Sequence, residues 1–175
     1  MYYKSIYQSP IGPLDIVSDE DTIKGVWYSR QKHYGGKYDM DAMVNEEILV
    51  IQQVKQWLDD YFAGKNPPVD KSILDPEVTP YRKQILDILV DVPYGQTITY
   101  KELADQVAAN TDGKKGSARA AGGAVGHNPI SILIPCHRVV ATDGALTGYA
   151  GGIDRKIELL ALEGFDRVKL ENHQI

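Results

Sequence analysis

The chain has 175 residues, 43% hydrophobic and 25% charged, with a formal net charge of −5. That is the composition of a soluble folded protein of one domain or two small ones, and it excludes a predominantly disordered chain. A single cysteine excludes an internal disulfide and a cysteine-rich zinc site, and the lack of an apolar leader or of any apolar run of bilayer length points to a cytoplasmic protein with no membrane partner.

The segment KSIYQSPIGPLDIVSDEDTIKGVWYS alternates apolar and polar residues between turn residues, which predicts three strands in an antiparallel meander. YGGKYDM reads as an exposed loop with little to bury. In EEILVIQQVKQWLDDYFAGK, Ile48, Ile51, Val54, Trp57, Leu58 and Tyr61 fall at helical spacing, with Gly64 as the stop. KNPPVDKSILDPEVT, residues 65–79, reads as a linker, so that domains of 1–78 and 79–175 are expected.

The second half is predicted helical. Thr79 and Pro80 open one helix as N-cap and first residue, and the Thr99 and Glu102 capping box in TYKELADQVAA opens another after the PYGQT turn. SARAAGGAVG is a third, ending before Asn128-Pro129, and the pair suggests a helix-turn-helix. Glycines inside that helix cost about 1 kcal/mol each relative to alanine. Two reasons would account for them: tight packing on another helix, or insertion into a nucleic-acid groove with Arg119 projecting. DRKIELLALEG forms a last helix that stops at Gly164, with Glu163 in the final turn, where a carboxylate opposes the helix dipole and a partner such as His137 would justify its place. The tail FDRVKLENHQI carries no clear pattern.

Charge is unevenly divided: residues 1–80 hold 8 Lys+Arg and 13 Asp+Glu, residues 81–175 hold 11 of each. No acidic residue lies between Asp112 and Asp143, while Lys114, Lys115, Arg119 and Arg138 do, so an anion could approach there, or the stretch is an ordinary solvated basic face. The one cysteine, Cys136, lies in this stretch, in ILIPCHRVV. It is either a small core residue or a nucleophile whose pKa is lowered by His137 and Arg138. If the segment is extended, the side chains of Cys136 and His137 point to opposite sides and a direct bond between them is unnatural.

PYGQTITYKELA, ARAAGGAVGHNP, ILIPCHRVV and GYAGG...K...LLALEG, in that order, resemble the O6-alkylguanine-DNA alkyltransferases, or methylated-DNA–protein-cysteine methyltransferases. The similarity spans residues 80–164 and is looser before them. It implies an α+β two-domain fold: a small N-terminal α/β domain with an antiparallel, ribonuclease-H-like sheet plus helix, and a C-terminal winged helix-turn-helix-like DNA-binding domain carrying the active site. The implied activity is direct repair. The alkyl group of O6-alkylguanine, and of O4-alkylthymine, passes irreversibly to the protein's own Cys136, once per molecule, with no cofactor and no metal.

By the same resemblance, His137 acts as base through a water, Glu163 orients it, and Asn128 holds the turn between the DNA-binding helix and the cysteine. Arg119, with Ala118, Ala121 and Gly122 on the same helix, enters the minor groove of duplex DNA as the damaged base flips out. Tyr100 assists flipping and gives a proton to the purine. The carbonyls of Cys136 and Val139 read the exocyclic amine, and Tyr149, Ala150 and Gly151 line the O6 side. Where many members carry serine, Ala150 leaves room for alkyl groups larger than methyl. A monomer is expected. The alternatives are a DNA-binding protein that recognises alkylated guanine without chemistry, and a thiol hydrolase using Cys136 and His137.

Overall fold

The computed structural model describes residues 1–111 and 117–175. By its internal contacts the chain divides into two units, Met1–Glu77 with Pro129–Ser131, and Val78–Asn128 with Ile132–Ile175. The α+β class expected from the sequence is the one observed.

In the first unit β1 (Tyr3–Ser9), β2 (Gly12–Ser18) and β3 (Ile23–Tyr28) form the antiparallel meander, Tyr3 opposite Ser18 and Leu14 opposite Tyr28. A fourth strand, β4 (Val44–Asn45), runs parallel to the start of β1, giving the order β3-β2-β1-β4. Two residues are too short for an alternation to show in sequence. The preceding loop is only partly exposed, because Tyr38 and Met40 pack on Val17, Trp27 and Met43. The helix α1 (Leu49–Phe62) buries Val50, Ile51, Val54, Leu58 and Tyr61, and Gly64 follows it at φ +85°.

The stretch expected to be a plain linker is tied to this sheet. Leu74 bridges Ile23 in parallel, the Asp75 N–H donates to the Ile23 carbonyl at 3.0 Å, and the Asp75 carboxylate pairs with Lys24. The same sheet gains a short return of the chain at its β3 side: Ile130 bridges Val26, with backbone bonds of 2.8 and 3.0 Å.

The second unit holds α2 (Pro80–Leu89), α3 (Tyr100–Asn110) and α4 (Ala118–Gly126), which pack on one another. Thr79, Thr99 and Ser117 cap them, each hydroxyl accepting from the backbone N–H three residues on. β5 (Ile98–Thr99) pairs in parallel with β6 (Val139–Val140), so the start of α3 lies beside the cysteine segment. α5 (Ile153–Leu162) and α6 (Arg167–Glu171) close the unit. The tail is folded: Leu170 is buried with Val140, Leu146, Ile157 and Leu160. Among the described residues no helix is long and apolar enough to cross a membrane.

Candidate active site

Every residue from Ser131 to Val140 is buried. Within this run Cys136–Arg138 is a turn of 3-10 helix, not an extended strand. The alternation argument for separating Cys136 from His137 therefore does not apply; successive side chains of such a turn diverge by about a third of a circle. Asn128 donates from Nδ2 to the Ile134 carbonyl at 2.9 Å, tying the end of α4 to the cysteine turn.

The turn and the end of α5 meet at one carboxylate. His137 Nε2 lies 2.6 Å from Glu163 Oε2, and Arg138 grips the same carboxylate at both oxygens, Nε to Oε1 at 2.8 Å and Nη2 to Oε2 at 3.0 Å. The Gly95 N–H adds a contact of 3.2 Å to Oε1. Arg138 is itself held by the Val92 carbonyl at 2.7 Å and lies over the Tyr94 ring. Burial pushes the Glu163 carboxyl up, but the donors from His137 and Arg138 outweigh it and hold the pKa down at about 2. Being ionised, Glu163 can only accept, so Nε2 carries the hydrogen. Burial lowers the pKa of His137 below its ordinary value, against the pull of Glu163. The imidazole is thus neutral at pH 7, with its basic lone pair on Nδ1.

The thiol departs from expectation. Burial raises the pKa of Cys136, and the neighbours that oppose the rise are Asn128, Lys156 and Tyr149. Arg138 cannot lower it, because its guanidinium is turned onto Glu163, and for the same reason it is absent from any basic surface. Lys114 and Lys115 lie outside the described residues. Among the described residues, the cation that lowers the thiol's pKa is Lys156. Wholly buried on α5, its ammonium donates to the Val139 carbonyl at 2.7 Å and reaches the Thr147 carbonyl at 3.5 Å. Burial lowers its pKa to about 8. Sequence reasoning counted Lys156 only as the lysine of the matching motif and gave it no role, yet the signal was there: Lys156, Leu159, Leu160 and Glu163 share one helical face, and a lysine in register with leucines points to burial.

Tyr100, the first residue of α3, is half-buried, with its hydroxyl 2.7 Å from that of Thr147 and its ring against Gly122 of α4. Ala118 and Arg119 are exposed on the first turn of α4, while Ala121 and Ala124 are buried. A Cβ added at Gly123 or Gly126 would meet nothing within 4 Å. Close helix packing therefore does not explain these glycines. Tyr149 and Ala150 are half-buried in the loop before α5, and the buried Gly151 accepts at its carbonyl from Arg155 at 3.2 Å. Among the described residues no three His, Cys, Asp or Glu side chains converge as a metal site would require.

The description 6-O-methylguanine DNA methyltransferase, DNA binding domain, matches residues 80–165, and that of the ribonuclease-like domain of the same proteins matches residues 1–75. The chain belongs to the 6-O-methylguanine DNA methyltransferase family. This family member is 41% identical to the methylated-DNA–protein-cysteine methyltransferase of Methanosarcina acetivorans over 165 residues, 94% of this chain and 99% of that one. It superposes on Mycobacterium tuberculosis OGT, solved in complex with DNA, with a TM-score of 0.79 at 36% identity over 92% of each chain. The O6-methylguanine DNA methyltransferase of Methanococcus jannaschii gives 0.63 at 28% identity, covering 92% of this chain and 93% of its own.

Proposed function

We propose that the protein repairs DNA directly, taking the alkyl group from O6-alkylguanine, and from O4-alkylthymine, onto Cys136 in a single irreversible event. The observation that carries this reading is the buried thiol of Cys136 beside a neutral His137, whose Nε2–H is held by an ionised Glu163, itself fixed by Arg138. Such an arrangement suits a nucleophile that is neutral at rest and loses its proton only as the reaction proceeds.

In the proposed sequence His137 Nδ1 draws the thiol proton through a water. The sulfur attacks the alkyl carbon, the carbon–O6 bond breaks, and its electron pair goes to the purine, which gains a proton. Sulfur attack on carbon needs neither a hydrolytic water nor a cofactor. Lys156 stabilises the negative charge that develops on sulfur.

A base stacked in a duplex cannot reach a buried thiol, so the nucleotide must be extruded. α4 is proposed to enter the minor groove, with Arg119 filling the vacated stack and Ala118 and Gly122 allowing close approach; Ala121, expected on the same face, is wholly buried and packs the helix instead. The open space at Gly123 and Gly126 supports this over the packing explanation. Tyr100 is proposed to protonate the purine, the carbonyls of Cys136 and Val139 to read its amine, and Tyr149, Ala150 and Gly151 to enclose its O6 side, with Asn128 holding the turn. The functional division is taken as 1–78 and 79–175, and the protein as a cytoplasmic monomer.

The test is intact-protein mass after incubation with a duplex holding one O6-methylguanine, with peptide mapping and a Cys136→Ala control. One methyl group per molecule, on Cys136, is expected. Duplex binding without any mass change would instead make the protein a reader of the lesion.

A further inference from the structure

Thr147 enters none of the roles described so far, yet two independent contacts fix it. Its carbonyl faces the Lys156 ammonium at 3.5 Å, and its hydroxyl meets that of Tyr100 at 2.7 Å. Tyr100 is equally constrained, starting α3 with its ring against Gly122. Burial raises the pKa of the phenol, the Thr147 hydroxyl acts against that rise, and charge on Cys136 adds to it. The hydroxyl pair therefore stands within the electrostatic reach of the reacting sulfur.

A phenol has a single proton. If Tyr100 gives it to Thr147 Oγ1, none is left for a purine; if Thr147 donates instead, the phenol proton is available and the phenol oxygen is stabilised as it acquires charge. The second arrangement matches the reaction's needs, because a purine leaving as an anion is a poor leaving group. We propose that Thr147 is a positioning residue for the transfer: its hydroxyl donates to the Tyr100 oxygen while the phenol proton passes to the departing purine. This rests on the repair reading above.

The step balances. The sulfur–methyl bond forms and the methyl–O6 bond breaks; the electron pair enters the purine ring, and a ring nitrogen takes the Tyr100 proton. Tyr100 is left as a phenolate accepting the Thr147 hydrogen bond, and it recovers a proton from water, to which His137 passes on the one it took from the thiol. The net change moves the thiol proton to guanine. Thr147 transfers nothing, and its effect is to hold charge at the phenol oxygen. A hydrogen bond to a charged group is worth about a 10- to 100-fold change in rate.

The experiment measures single-turnover methyl transfer from an O6-methylguanine duplex, with duplex affinity, for the full-length wild type, Thr147→Val, Thr147→Ser, Tyr100→Phe and the Tyr100→Phe, Thr147→Val double variant. Valine keeps the shape and removes the hydroxyl, and melting curves check that each variant folds. Thr147→Val should slow transfer by about 10- to 100-fold with affinity unchanged, Thr147→Ser should recover most of that loss, and the double variant should be no slower than Tyr100→Phe. Wild-type speed in Thr147→Val, no recovery with serine, or additive losses in the double variant would each overturn the inference and leave the repair reading standing. A wild type that takes up no methyl group overturns both.

Discussion

Replacing Lys156 by methionine should separate stability from function. The wild-type ammonium is wholly buried and held by carbonyl oxygens, and its pKa falls from 10.5 to about 8. That fall corresponds to about 3 kcal/mol of unfavourable burial. Below pH 8 both folded and unfolded chains carry the proton and the whole cost is present. Between about pH 8 and 10.5 the unfolded chain binds a proton that the folded chain has lost, so this contribution to folding stability rises with pH. Lys156→Met removes the dependence. At pH 7 it also leaves the Val139 carbonyl without its donor, which costs about 1–3 kcal/mol, so the variant should be of equal stability or up to about 2 kcal/mol more stable. Urea unfolding of both proteins from pH 7 to 10.5 measures the difference, and wild type should gain on the variant by about 3 kcal/mol across the range. Methyl transfer by the variant at pH 7 should be at least about tenfold slower, the loss expected when a charge poised on the transition state is removed. Stability curves that stay parallel over this pH range would refute a buried ammonium of lowered pKa. Undiminished transfer would refute its action on the sulfur.

Arg138→Ala should cost about 3–5 kcal/mol of stability, because it strips a buried carboxylate of its two-point partner. Arg138 lowers the pKa of both Glu163 and His137, so without it the acid limb of the transfer rate, read from pH 4 to 8, should move upward in pH relative to wild type; an unmoved limb would show that Arg138 does not set the protonation of the His137–Glu163 pair. Gly123→Ala meets no neighbour, so it should stabilise α4 by up to about 1 kcal/mol while weakening duplex binding in a fluorescence anisotropy titration. Unchanged affinity would remove this face of α4 from the DNA interface. Ala150→Ser should reduce the transfer rate from O6-benzylguanine more than that from O6-methylguanine, and equal effects would dismiss the idea that alanine makes room for larger alkyl groups.

The parts of the fold carried by periodicity were legible: the meander of β1 to β3, the apolar face of α1, and the capped starts of α2, α3 and α4. Those made by contacts distant in sequence were not. The two-residue β4 is too short to show a pattern, and Leu74 and Ile130 join the first sheet through backbone pairing that no side chain announces. At the site, residue types were readable but their orientation was not. His137 and Arg138 both read as neighbours of the thiol, whereas Arg138 is turned onto Glu163, and the cation that lowers the thiol's pKa is Lys156, twenty residues away in the chain. Burial decided the sign of the cysteine pKa shift, and burial of a single side chain is a property of the folded whole.

The rise in that pKa bears on how long a single-use protein lasts. A permanently ionised, exposed thiolate would react with stray alkylating agents and oxidants, and each such encounter would retire one molecule before it met a lesion. Cys136 is buried and protonated at rest, so it presents little of the reactive form to small electrophiles in solution. With Cys136 as the proposed acceptor, the burial that keeps its thiol protonated thereby acts as a safety catch, keeping the pool of unreacted protein intact during the long intervals between damaged bases.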